Sequence, residues 1–257
     1  MKKYKNYLFD LYGTLVDIST DEQSKKLWKK LAKIYACYGA EYKAKELKKE
    51  FFRMDREERK LLKLESGCDH PEIKLEKVFI RLLCEAPQIL SDRSISIRMP
   101  ENLAVWAELM ANTFRTISRE YLRLFPDTLE TLDRLRERGS KVFLLSNAQA
   151  IFTMPEIRLM RLDEHMDKLY ISSDYGVMKP DFRFINKLVQ EEGIDISESV
   201  MIGNEVRSDV KVAQSCGMDG ILLNNYNISP EDIRKEALEH GVREDFVTIE
   251  KISMLLD

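Results

Sequence analysis

From Phe125 onward, short apolar runs alternate with amphipathic segments closed by glycine. TLETLDRLRERG reads as a helix closed by Gly139, KVFLLSN and KLYISSD as strands, and RFINKLVQEEG as a helix ended by Gly193. SVMIGNE is a further strand, RSDVKVAQSCG a helix closed by Gly217, and GILLNN a final central strand. Strands that are apolar throughout and alternate with helices specify a parallel sheet covered on both faces. YKNYLFD, residues 4–10, supplies a first strand that a right-handed crossover can bring into the same sheet. Between about Asp21 and Arg123 the rhythm changes to long charged segments with apolar residues at helical spacing, among them KELKKEFFRMDREERKLLKLE and NLAVWAELMANTFRTISREYLRL. The expected fold class is therefore α/β. A parallel-sheet core (residues 1–17 and 124–257) carries an inserted all-helical domain (18–123), which leaves just after the first strand and lies over the sheet edge as a lid.

Composition narrows the partners. Lys and Arg total 41 against 44 Asp and Glu, a net charge of -3, so no basic excess points to nucleic acid or an anionic membrane, and a small-molecule substrate is expected. The start, MKKYKNYLFDLYGTLVD, has only a short apolar run broken by Asp10 and does not read as a signal peptide. No run approaches the roughly 18 apolar residues of a membrane span, so a cytoplasmic protein is expected. Cys37, Cys68, Cys84 and Cys216 form no CxxC pair and read as reduced thiols, and Cys68-Asp69-His70 reads as a loop between helices, not a metal site. His70, His165 and His240 receive no catalytic role.

In an open α/β sheet, ligands bind beyond the carboxyl ends of the strands. The polar residues expected there are Asp10, Ser146-Asn147, Ser172-Ser173-Asp174 and Asn204-Glu205. Asp10 precedes a glycine turn, DLYGTL, whose backbone N–H groups can face an anion, and a carboxylate so placed can attack an electrophile. Ser146 and Asn147 offer a hydroxyl and an amide to the oxygens of a transferring group. Lys179, in VMKPD, can neutralise an anionic substrate. Asn204, Glu205 and Asp209 are three oxygen-bearing side chains of the kind Mg²⁺ takes.

The order FDLYGTLVD, LLSNA, VMKPD, MIGNEVRSD resembles the four motifs of the haloacid dehalogenase superfamily, and the helical insertion is similar to its C1 cap. The resemblance implies a Rossmann-like core, with Asp10 as covalent nucleophile and Lys179 stabilising charge. It further implies that Thr14, Ser146 and Asn147 bind substrate, and that Mg²⁺ is held around Asp10, Tyr12, Asn204, Glu205 and Asp209. Two positions depart from the phosphatases of the superfamily. Tyr12 stands where they carry a second aspartate that protonates the leaving alcohol, and Asn204 replaces the leading acid of the fourth motif. Tyr12 is what 2-haloacid dehalogenases show, but their tyrosine and asparagine partners are here Ile185 and Val206. The expectation is a Mg²⁺-dependent phosphatase of a small phosphorylated metabolite. Its alternatives are a metal-independent 2-haloacid dehalogenase-like hydrolase and a catalytically weak binding protein. In the cap, Lys43, Lys45, Lys48, Lys49 and Arg53 are candidates for a substrate anion but read more simply as a solvated face. Trp28, Phe51, Phe52, Trp106 and Phe114 read as cap core.

Overall fold

A computed structural model of the chain describes residues 1–87 and 97–257. The elements run β1 (Asn6–Phe9), β2 (Val16–Thr20), α1 (Lys25–Cys37), α2 (Ala44–Ser66), α3 (Leu75–Cys84), α4 (Leu103–Ser118), β3 (Arg119–Leu124), α5 (Thr128–Glu137) and β4 (Lys141–Ser146). They continue with α6 (Ala150–Leu159), β5 (Lys168–Ile171), α7 (Ser172–Tyr175), α8 (Phe182–Glu192), β6 (Ser199–Gly203), α9 (Lys211–Cys216), β7 (Asp219–Leu223), α10 (Pro230–His240) and β8 (Val247–Ile249).

Six strands form a parallel sheet in the order β5-β4-β1-β6-β7-β8. β1 is central, with Phe9 beside Leu144 on one side and Ile202 on the other. All four of its residues are buried, because helices cover both faces. Successive side chains go to opposite faces. Tyr7, Phe9, Val142, Leu144, Val200 and Ile202 join one apolar cluster, whereas Leu8, Phe143, Leu145 and Met201 join the other, against α8 and α9. This central register brings the ends of β1, β4 and β6 to one edge of the sheet.

The insertion packs α1–α4 around its own core, in which Trp28, Phe51, Trp106 and Phe114 are buried and Phe52 packs against them. Phe51 and Phe114 stack with ring centroids 5.3 Å apart. The helical reading of NLAVWAELMANTFRTISREYLRL stops at Ser118. The last six residues are β3, which pairs antiparallel with β2 from Val16–Leu124 to Thr20–Arg119. Along β3 the side chains of Leu122 and Leu124 join the core cluster, a period-2 pattern that the preceding helical periodicity masks. The boundaries expected at residues 17/18 and 123/124 therefore fall inside this two-stranded ribbon.

A second set of contacts ties the insertion to the core. The loop containing Cys68-Asp69-His70 lies along the segment that leads to Lys179. Glu72 N donates to Gly176 O (3.2 Å), Met178 N donates to His70 O (3.0 Å), and Cys68 Sγ donates to Asp181 (3.2 Å). Those three residues therefore serve a docking loop. Glu72 is itself held by Arg59 (2.9 Å) and by Gln149 Nε2 (2.8 Å). Among the described residues no helix is long and apolar enough to cross a membrane.

Candidate active site

Asp10 follows β1 directly, and its backbone N–H donates to Ile202 O (2.9 Å), continuing the sheet by one residue. The chain then turns tightly, with Leu15 N and Val16 N both donating to Leu11 O (2.9 Å each) and Gly13 N to Val16 O (2.8 Å). Gly13 has φ +86°, and a Cβ on it would lie 2.4 Å from the Asn204 side chain. Only glycine accommodates both that backbone and that approach.

Asp10, Ser146, Lys179, Asn204, Glu205 and Asp209 line one cavity of about 150 Å³, with Tyr12, Asn147 and Ser208 on its walls. Larger grooves of about 600 Å³ beside α10 and β8 and about 520 Å³ over the lysines of α1 contain none of the strand-end carboxylates. The chemistry selects the smaller one.

Lys179 is the centre of the site. Only 2% exposed, it places Nζ 2.7 Å from Asp10 Oδ1, 2.7 Å from Asp209 Oδ1 and 2.6 Å from Leu145 O. Burial alone would lower the pKa of its ammonium, but the two carboxylates outweigh it and hold the group above its ordinary value. Asp209 moves the other way from a paired acid. Burial and the charge of Asp10 raise its pKa against the pull of Lys179 and of the Glu205 N–H, which donates to Asp209 Oδ2 (3.0 Å). A Cβ on Gly203 would sit 2.1 Å from this carboxyl, so glycine is required for Asp209 to reach the lysine.

The raised Asp209 pKa predicts a pH effect. The folded chain keeps this proton at a pH where an unfolded aspartate, with a pKa near 3.9, has lost it. Stability from this group therefore grows as pH falls through the folded value and levels off below the unfolded one. The melting temperature of the wild type, measured against Asp209→Asn, is expected to gain on the variant between pH 7 and pH 5. A constant or shrinking difference would refute the effect.

The structure distributes the expected site residues unevenly. Ser146 Oγ is buried with no hydrogen-bond partner among the described residues and lines the cavity. Thr14, expected to bind substrate, is fully buried, and its hydroxyl donates to Asn204 Oδ1 (3.1 Å) and lies 3.5 Å from Asp10 Oδ2. It braces the loop that follows Asp10. Asn147, also expected on substrate, spends its amide on the Lys179 backbone, donating to its carbonyl (3.0 Å) and accepting from its N–H (2.8 Å). Ser172, Ser173 and Asp174 form the short helix α7 and lie outside the cavity.

Tyr12 directs its hydroxyl to two side chains of α6. It donates to Glu156 on α6 and sits 3.1 Å from the Thr153 hydroxyl. Glu156, 4% exposed, also accepts from Arg115 of α4 (2.8 and 3.0 Å) and Arg119 of β3 (2.8 Å), and these bonds hold its pKa down against burial. The Arg115 guanidinium lies 5.0 Å over the Tyr12 ring. Burial raises the pKa of the Tyr12 phenol, with the Glu156 charge adding to it and Arg115 opposing it. Tyr12 is therefore a locked donor, presenting no proton acceptor to the cavity and no side-chain ligand to a metal.

Glu205 accepts from Ser208 Oγ (2.9 Å) at the rim. Among the described residues no three His, Cys, Asp or Glu side chains gather closely enough to hold a metal by themselves. The cap cations stand elsewhere. Arg53 is engaged by Glu50 and Glu57, and none of Lys43, Lys45, Lys48 and Lys49 lines this cavity.

The family model described as a haloacid dehalogenase-like hydrolase matches residues 4–217. The chain belongs to this family. Its relatives include a glyceraldehyde 3-phosphate phosphatase of Methanothermobacter thermautotrophicus, 27% identical over 54% of this chain and 63% of the relative. A phosphoglycolate phosphatase of Aliivibrio fischeri is 28% identical over 40% of this chain and 46% of its own length. The match thus spans less than two thirds of either relative. A 2-haloacid dehalogenase from Pseudomonas syringae pv. Tomato DC3000 has a similar structure, with TM-score 0.64 over 98% of this chain and 96% of that one at 18% identity, a likeness of fold. As a haloacid dehalogenase-like hydrolase, the protein carries its strand-end carboxylates where an α/β sheet collects its ligand.

Proposed function

We propose that this hydrolase is a Mg²⁺-dependent phosphatase of a small phosphorylated metabolite, acting through a covalent intermediate on Asp10. The observation that carries the reading is the pairing of Asp10 with Lys179 beside the unpartnered Ser146 hydroxyl. Lys179 takes one oxygen of Asp10, leaving Oδ2, among the described residues, with only the long contact from Thr14. That oxygen attacks phosphorus, an Asp10–O–P bond forms, and the bond to the leaving oxygen breaks. Ser146 and Lys179 meet the charge on the phosphoryl oxygens, and water then cleaves the aspartyl phosphate to release inorganic phosphate.

The residues fit a magnesium ion. Two buried carboxylates share one lysine, leaving excess negative charge beside the Asn204 amide and the Glu205 rim carboxylate. Mg²⁺ takes one or two carboxylates and keeps water and substrate oxygens, so Asp10 and Asp209, with Asn204 and Glu205, would hold it. Bound there, it supplies positive charge against the phosphate.

The dehalogenase reading draws on Tyr12, since halide leaves without a proton. Against it, Ile185 and Val206, at the positions of the dehalogenase partners, are buried in apolar clusters away from the cavity. The four cysteines are free thiols, which supports work in a reducing cytoplasm.

The test is inorganic phosphate release from a metabolite panel with Mg²⁺ or with chelator, run beside halide release from 2-chloropropionate. Phosphate release that chelation abolishes is expected. Metal-independent halide release would replace this reading with the dehalogenase one, and silence in both arms would favour a binding protein.

A further inference from the structure

We infer that the site is built for phosphates whose leaving group departs as a stable anion, such as an acyl phosphate, in preference to alkyl esters. The inference rests on the phosphatase reading above and names its substrate class. Breaking a P–O bond to an alkyl group expels a strongly basic alkoxide, which needs a proton as it leaves, and a positioned acid is typically worth about 10²–10⁴-fold in rate.

Among the described residues, each ionisable side chain that lines the cavity is already committed to another task. Asp10 is the nucleophile. Lys179 donates to Asp10 Oδ1 and Leu145 O and stands 2.7 Å from Asp209 Oδ1 as its counter-ion. Asp209 is 1% exposed, with Oδ1 2.7 Å from Lys179 Nζ and Oδ2 accepting from the Glu205 N–H, so a proton on it stays among these contacts and is not presented to a leaving group. Glu205 is a rim carboxylate accepting from Ser208. The remaining group, the Tyr12 phenol, is aimed at Glu156, which two arginines hold as an acceptor. Turning Tyr12 toward substrate would leave Glu156 short of a donor and take the ring from under Arg115, 5.0 Å away.

The step balances without an acid when the leaving oxygen carries the electron pair away as a carboxylate or another weakly basic anion. Asp10 Oδ2–P forms, P–O breaks, and no proton moves. The second step, hydrolysis of the aspartyl phosphate, is common to all substrates. Leaving-group basicity should therefore govern kcat/KM, which reports the first step, more than kcat.

The experiment measures Asp10-dependent phosphate release with Mg²⁺ from acetyl phosphate and glycerol 3-phosphate, and from the size-matched pair 4-nitrophenyl and phenyl phosphate. Expected is a kcat/KM for acetyl phosphate about 10²–10⁴-fold above that for glycerol 3-phosphate, with 4-nitrophenyl well above phenyl phosphate. Asp10-dependent release with all four within about tenfold of one another would overturn this inference and leave the phosphatase reading standing. Release from none of them while the metabolite panel does release phosphate would overturn this inference alone, and silence from the panel as well would overturn both.

Discussion

Asp10→Asn is expected to remove phosphate release by at least about 10³-fold while the protein stays folded, because an amide of the same shape cannot form the covalent intermediate. The substitution also takes one negative charge from a buried group in which two carboxylates share Lys179, so the melting temperature should hold or rise. Enzymes commonly place such unfavourable charge where chemistry needs it. Phosphate assays and a thermal melt on the same preparation decide the matter. A variant keeping more than about a tenth of wild-type turnover would remove Asp10 from the nucleophile's role.

Lys179→Met should be the most damaging substitution for stability. It leaves Asp10 and Asp209 buried and facing each other, and breaking a buried ion pair from one side costs about 3–5 kcal/mol. The sign of the pH dependence follows from the same groups. Without the cation, Asp209 has lost the pull that opposed burial and the Asp10 charge, so it protonates more readily, and the deficit should be smaller near pH 5 than at pH 7. Urea unfolding at the two pH values measures this. A loss under about 1 kcal/mol at pH 7 would mean that the carboxylates find another partner.

Much of this site is legible in the sequence because a parallel sheet gathers its strand ends. Asp10, Ser146 and Asn204-Glu205 each close an apolar run, and their meeting follows from the topology alone. What escapes is whatever depends on which of two neighbours a polar side chain chooses. Asn147 beside Ser146 offers an amide to substrate just as well as to the Lys179 backbone, and the structure takes the second. Thr14 likewise braces Asn204. Glu156 carries no local signal at all, since it lies within α6 directly after Pro155, and its partners Arg115 and Arg119 belong to the insertion. The helix that ends at Ser118 conceals β3 for a related reason: Arg119–Leu124 needs β2, about a hundred residues earlier, to be a strand.

The ribbon of β2 and β3 has a consequence for how such a protein can change over generations. The two ends of the insertion close on each other, Thr20 opposite Arg119 and Asp21 N donating to Ser118 O at 2.7 Å, so a short turn could join them and leave a plain hairpin. The inserted helices are in this sense parenthetical. They can lengthen, diverge or be exchanged for another set while the central strands keep their order. The lineage is free to rework the insertion without rebuilding the cavity at the strand ends, to whose lining the insertion contributes none of the described residues.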